Sequence, residues 1–366
     1  MSKRVLSFLL VVVLVVSLFV GCAPKNEESE TLKDGNEAQS GATKDQYFRV
    51  GFVTDVGGID DRSFNQGTYE GILKYAEEKG WEHGKEYNYI PSNEEADYIP
   101  NLSTFGDENY NVIIAAGYKF EDSMNEVAPR YPDTSFAIID MIIDEPNVAS
   151  VVFAEEQGSF LVGVAAAEST KTKKVGFVGG EDFPLIRKFH AGFIAGVHSV
   201  DDSIEVYEQY AGSFADTGMG QQIASLMYEK GVDVIYHAAG GTGNGVINEA
   251  KNRADNGEEV WVIGVDKDQY EDGKLKSGKS IILTSMMKRV DVASYKMIEA
   301  AQKGEFPGGK ITEFTLAEEG VGIPRENPNL SEDIVNEIKD YENKIIKGEI
   351  TVPTTMEELE AFKDNL

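Results

Sequence analysis

Three aspartates, Asp55, Asp140 and Asp266, each directly follow a short run rich in β-branched residues. An ionised carboxylate only accepts hydrogen bonds, so three at strand ends suit a solute rich in N–H and O–H groups. Each alone reads equally as a helix N-cap or loop former; three at equivalent places weigh toward a ligand. Asp55 opens the stretch Asp-Val-Gly-Gly-Ile-Asp-Asp-Arg-Ser-Phe-Asn-Gln, residues 55–66. Gly57 and Gly58 permit an unusual loop there. Asp60, Asp61 and Ser63 are N-cap types for a helix starting near Phe64. Phe64 is a large apolar side chain at a helix start, and it reads either as a hydrophobic staple or as an aromatic platform facing a cleft. Phe214, in Gly212-Ser-Phe-Ala-Asp216, occupies the equivalent loop of a second series of elements. Two facing rings would sandwich a flat ligand, with stacking worth roughly 1–3 kcal/mol per base.

Other motifs lead away from catalysis. Gly273-Lys-Leu-Lys-Ser-Gly278-Lys279-Ser280 fits GxxxxGK[ST] in full. Its mechanism needs a strand before the loop and a helix N-terminus after it. Here a polar stretch precedes the loop and Ile281-Ile-Leu-Thr-Ser285 reads as a strand, so a lysine-rich surface turn is the better reading. Ala239-Gly-Gly-Thr-Gly-Asn-Gly245 lies between a strand and a helix, but its spacing is not GxGxxG. Its glycines let backbone amides approach a ligand closely. The four histidines, His83, His190, His198 and His237, have no metal-ligand spacing, and GxSxG is absent. No enzyme activity and no cofactor are expected.

The elements that must carry these residues alternate. Arg49–Thr54, 109–116 and 135–140 read as strands, with helices over 65–79 and 121–131. The rhythm restarts with strands at 173–179, 204–207, 233–238 and 260–265, and helices over 185–200, 218–230 and 245–256. Such alternation implies α/β architecture with parallel sheets covered on both faces, here as two doubly wound lobes. Ligands of such sheets bind at the carboxyl ends of strands, which is where the aspartates fall. Val148–Phe153 reads as a strand between the lobes, leading into an apolar helix over 158–168, and so as a natural hinge.

The chain has 366 residues and a formal charge of −29. That charge repels phosphate backbones, which argues against nucleic acid as a partner. The N-terminus has Lys3 and Arg4, then an apolar run from Val5 to Val20, then Gly21 and the single cysteine, Cys22. This order is a signal peptide over 1–21, ending as a lipoprotein signal does. Cys22 would carry lipid, and two acyl chains anchor stably at about 0.8 kcal/mol per buried CH₂. Residues 22–46 are polar and read as a disordered tether. The protein is thus expected on the extracytoplasmic face of the cell membrane.

From about Arg49 to about Ile323 the chain resembles the basic membrane protein family of lipoproteins, which includes purine nucleoside receptors of ABC importers. The residues that carry the resemblance are the 55–66 stretch, Glu156-Gln-Gly-Ser-Phe-Leu-Val-Gly163, Gly192-Phe-Ile-Ala-Gly196, His237 to Gly245, Ile263-Gly-Val-Asp266 and Thr284-Ser-Met-Met-Lys-Arg289. The resemblance implies a type I periplasmic-binding-protein fold, two lobes joined by a three-segment hinge. It implies an N-terminal lobe of residues 47–150 plus about 284–315, and a C-terminal lobe of 151–283 plus about 316–366. It implies that Phe64 and Phe214 stack on a purine, that Asp55 and Asp140 with Asn65 meet its polar edge, and that Gly240, Asp266 and Lys288 hold the ribose. Phe153 and Thr284-Ser285 become hinge candidates. The implied partners are a purine nucleoside and a membrane permease. Three rivals stand beside this reading: a receptor for a sugar or amino acid, a nucleoside-processing enzyme using Asp60 and Asp61 for calcium, and an adhesin or sensor on the same fold.

Overall fold

Short apolar runs become the strands of two six-stranded sheets in the computed structural model, which describes residues 47–365. The expected signal segment, Cys22 and the tether lie outside the described residues. In the first lobe, β1 (Val50–Val53), α1 (Phe64–Lys79), β2 (Tyr87–Ile90), α2 (Tyr98–Asp107), β3 (Val112–Ala116), α3 (Glu121–Val127), β4 (Ser135–Ile139) and β5 (Val148–Phe153) follow in order. The second has α4 (Glu155–Ser169), β6 (Lys174–Gly179), α5 (Pro184–Val200), β7 (Glu205–Tyr210), α6 (Thr217–Glu229), β8 (Val234–Ala238), α7 (Gly240–Asp255), β9 (Trp261–Asp266) and β10 (Ile282–Lys288). The chain then returns with α8 (Val290–Lys303) and β11 (Ile311–Phe314) to the first lobe, and ends with β12 (Val321–Gly322), α9 (Glu332–Ile346) and α10 (Met356–Lys363) on the second.

The strand orders are β11-β5-β4-β3-β1-β2 and β12-β10-β9-β8-β6-β7. Every pair is parallel except β10 with β12. Strand periodicity divides the core. Val112, Ile114 and Ala116 of β3 join Ile72 and Tyr75 on one face, while Ile113 and Ala115 join Leu102, Phe105 and Met124 on the other. Burial on both faces is why these strands are continuously apolar rather than alternating.

The lobe boundaries differ from expectation in two places. β5 is a full member of the first sheet, so the first crossing comes after Phe153 and not at 150. Thr284 and Ser285 lie inside β10 of the second sheet, and the return crossing follows Lys288. Neither residue is therefore at a crossing. Pairing of Val148–Val151 with β4, and of Ile282–Met287 with β9, commits these segments to their sheets. The third crossing lies between Phe314 and Val321.

Within the second lobe, α4 and α5 touch backbone to backbone. A Cβ on Gly196 would stand 2.0 Å from the Phe160 carbonyl oxygen, and one on Gly192 would stand 2.2 Å from that of Glu156. Only glycine permits this approach. Among the described residues no helix is long and apolar enough to cross a membrane.

Candidate functional site

The carboxyl ends of both sheets face one cleft, which encloses about 580 Å³ of atom-free space, part of it open to solvent. Asp55, Phe64, Asn65 and Asp140 line it from the first lobe; Phe214, Gly240, Asp266 and Lys288 line it from the second. The strands end in unusual backbone at two of these. Asp140 has φ 71° and Asp266 φ 66°, a left-handed conformation that Asp tolerates better than most residues.

The β1–α1 loop is built around Asp61. Its carboxylate accepts from the backbone N–H groups of Ser63 (2.9 Å), Asn65 (2.7 Å) and Gln66 (3.0 Å), and from Asn65 Nδ2 (3.0 Å). Asp61 therefore does the capping expected of the loop, while Ser63, the N-cap residue by position, makes no side-chain cap bond. Asn65 Nδ2 also donates to Asp55 Oδ1 at 2.8 Å, and Asn65 Oδ1 accepts from the Asp55 N–H at 3.2 Å. Both amide hydrogens of Asn65 are thus spent on carboxylates. Asn65 fixes Asp55 and Asp61, and Asp55 is left to face the cleft.

At the cleft base sits a buried charge network. Lys288, 2 % exposed, lies 2.6 Å from Asp140 Oδ2 and 3.0 Å from Glu155 Oε1. Lys188 donates to Glu155 Oε2 and to the Phe153 carbonyl, both at 2.7 Å. Asp140 Oδ1 has no hydrogen-bond partner among the described residues, so the site keeps a buried acceptor unused. The ammonium of Lys288 also lies 5.3 Å from the ring centre of Phe64, 5.1 Å from Phe153 and 5.4 Å from Phe189, within cation–π range.

Withdrawal from water raises the site carboxyls. It pushes Asp266 up to about 7, against the pull of Lys288 and the Ser63 hydroxyl. It pushes Asp55 up to about 6 against its bond from Asn65, and Asp140 up to about 6 against Lys288. Glu155 goes the other way: burial raises it, but Lys288 and Lys188 outweigh that and hold it below the usual range.

Three features go beyond the sequence reading, in which Tyr118 is one of the strand-end positions open to a ligand. Leu185, Ile186 and Phe189 form an apolar wall from α5; in the sequence they are an ordinary helix face. Tyr118 stacks on Phe183 at 3.9 Å across the lobes, points its edge toward Phe214 at 6.4 Å, and donates to Glu181 at 2.7 Å. The glycine run 240–245 is not a loop but the start of α7. There Thr242 holds the Phe214 loop, its N–H donating to the Phe214 carbonyl at 3.1 Å and its hydroxyl to that of Ser213 at 2.9 Å. The GxxxxGK[ST] segment is a turn closed by a Lys274–Ser280 bridge and followed by strand β10, with no helix to cradle phosphate.

Comparison with known proteins agrees with this architecture. Residues 48–356 match the family model described as ABC transporter substrate-binding protein PnrA-like. A CD4+ T-cell-stimulating antigen of Listeria innocua is 44 % identical, over 96 % of this chain and 99 % of its own. The ABC transporter nucleoside-binding protein BmpA of Lactococcus lactis subsp. cremoris is 37 % identical, over 97 % of this chain and 100 % of its own. Among solved structures, an ABC transporter solute-binding protein from Aeropyrum pernix K1 superposes with a TM-score of 0.75 at 28 % identity, covering 86 % of this chain and 98 % of that one.

Proposed function

Because the chain belongs to the family of PnrA-like ABC-transporter substrate-binding proteins, we propose that its cleft captures purine nucleosides for import, with the protein held at the membrane by lipid on Cys22. The observation that carries this reading is the convergence of Phe64 and Phe214 with Asp55, Asp140, Asp266 and Lys288 around one cleft. The rings suit a flat base. The carboxylates suit its N–H groups and the ribose hydroxyls, and Lys288 can donate to ribose oxygens. A site built to bond hydroxyls discriminates against ligands lacking them, because its own groups are then left unpaired. The nucleoside-binding name of the Lactococcus relative supports the same ligand class. A calcium-dependent enzyme fits less well, since both oxygens of Asp61 are occupied by N–H donors.

Calorimetric titration with inosine, guanosine, adenosine, cytidine, ribose and glucose tests this. The protein is first unfolded and refolded to strip retained ligand. Binding of purine nucleosides without turnover is the expected result. A response to ribose or glucose alone overturns the ligand, and product from inosine overturns the receptor reading. For the anchor, mass spectrometry of the membrane-extracted protein should find diacylglycerol on Cys22.

A further inference from the structure

Three consecutive residues of the first lobe seat on three side chains of the second. The Asp61 carbonyl accepts from Asn244 Nδ2 at 3.0 Å, the Arg62 carbonyl accepts from Gln269 Nε2 at 3.1 Å, and the Ser63 hydroxyl donates to Asp266 Oδ2. Both halves are shaped by their own lobe. On the first, the Asp61 carboxylate pins the turn and Arg62 takes φ 58°. On the second, fully buried Gln269 accepts from the Val265 N–H at 3.0 Å, and its own N–H donates to Ser285 Oγ at 3.1 Å. Gly264 makes room for it, since a Cβ there would lie 2.6 Å from Gln269 Oε1. Parts that are already ordered lose little entropy on docking.

Asp266 also lines the solute cleft. One carboxylate therefore belongs both to the cleft and to the contact between lobes, and Ser63 can reach it only when the lobes are together. Because the Asp61 carboxylate already caps α1, the Ser63 hydroxyl is released from that role and reaches across to Asp266. We propose that residues 61–63 are a preformed latch, and that Asn244, Gln269 and the Ser63–Asp266 bond are positioning contacts that set how long a captured solute is retained. This rests on the nucleoside-receptor reading for its ligand, but not for its structural claim.

The test uses the full chain in detergent, with Cys22→Ser and spin labels at Thr104→Cys and Lys230→Cys, exposed sites on α2 and beside α6. Distance distributions are recorded with and without inosine, and inosine association and dissociation rates are measured separately. Asn244→Ala and Ser63→Ala are expected to shift the distribution toward longer distances. They should speed dissociation roughly fivefold each, the scale of one hydrogen bond, with association changed less than twofold. Among the described residues Asn244 Oδ1 has no partner to lose and Nδ2 donates to the first lobe, so that variant removes no side-chain hydrogen bond within the second lobe. Unchanged distances and dissociation in both variants overturn the latch. If the parent chain itself shows no response to inosine, the nucleoside reading fails. The latch is then judged on the ligand-free distributions: identical ones overturn it, and longer ones in the variants support it.

Discussion

The two walls of the cleft are made differently. The first lobe contributes Asp55, Asp61 and Asn65, already hydrogen-bonded among themselves, together with Asp140. The second contributes Leu185, Ile186, Phe189, Ala238 and Val265, broken by Asp266 and Lys288. A wall of oriented acceptors distinguishes solutes by their donors, because a mismatched polar group is left unpaired. An apolar wall contributes in proportion to area removed from water, roughly 25 cal/mol per Å², and does so only once it has swung over the solute. On the proposed reading, selectivity resides mainly on one side and the gain from closure mainly on the other. Lys288 is where the division breaks down: it is carried by the second sheet and paired to Asp140 of the first.

Removing that exception should have the largest effect. Lys288→Met strands Asp140 and Glu155 without their shared cation, and breaking a buried pair costs about 3–5 kcal/mol. Calorimetry should show nucleoside affinity falling more than a hundredfold, and the melting temperature should drop by several degrees. Loss confined to one of the two would mean that Lys288 serves only fold or only ligand.

Next come the rings, one from each wall. Phe64→Ala and Phe214→Ala should each weaken binding about tenfold to a hundredfold, on the stacking scale of roughly 1–3 kcal/mol. Equal losses by titration would show a true sandwich; a loss at Phe214 alone would assign the base to the second wall.

Acidity separates the walls further. A solute that donates to Asp266 and Asp55 needs them ionised, so binding lowers their values from about 7 and about 6 and releases protons. Affinity should be highest above pH 7 and fall as pH drops through those values, by up to about tenfold per pH unit for each proton released. Titrations in two buffers of different ionisation enthalpy would count the protons. Melting temperature is a poorer readout. Raised carboxyls lose their stabilising contribution as pH rises through 6–7, whereas His190 and His237, pushed down to about 4 by burial, lose theirs as pH falls.

The smallest effect belongs to the rim. Glu181 meets Lys119 at 2.7 Å, and their side chains are 27 % and 21 % exposed. Glu181→Gln should cost no more than about 1 kcal/mol. Its effect on solute dissociation should fade with added salt, unlike that of Asn244→Ala.

Much of this was legible in the sequence for a physical reason. Strand-end aspartates, and aromatic residues at the helix start and in the loop, are local patterns, and the alternation of elements places them at one edge. β2 and α2 were not read: Tyr87-Asn-Tyr-Ile90 is a half-buried edge strand with no apolar alternation. The glycine run at 240 suggested a loop because glycine disfavours helix interiors, yet packing against the Phe214 loop and α6 carries it into α7. Contacts such as Ser63 with Asp266 or Lys288 with Asp140 join residues 203 and 148 positions apart. No periodicity announces such pairs; they exist only because two sheets meet.

The glycine seam between α4 and α5 has a mechanical meaning. α4 begins at Glu155, just past the first crossing, and α5 carries Leu185, Ile186 and Phe189 into the cleft. With main chain resting on main chain at Gly192 and Gly196, no compliant layer of side chains lies between the pivot and the wall it swings. On the proposed capture by closure, the second lobe would swing as a stiff lever. Its state would then reduce to a single coordinate, the angle at the crossings, which a transporter in the membrane could sense without touching the solute.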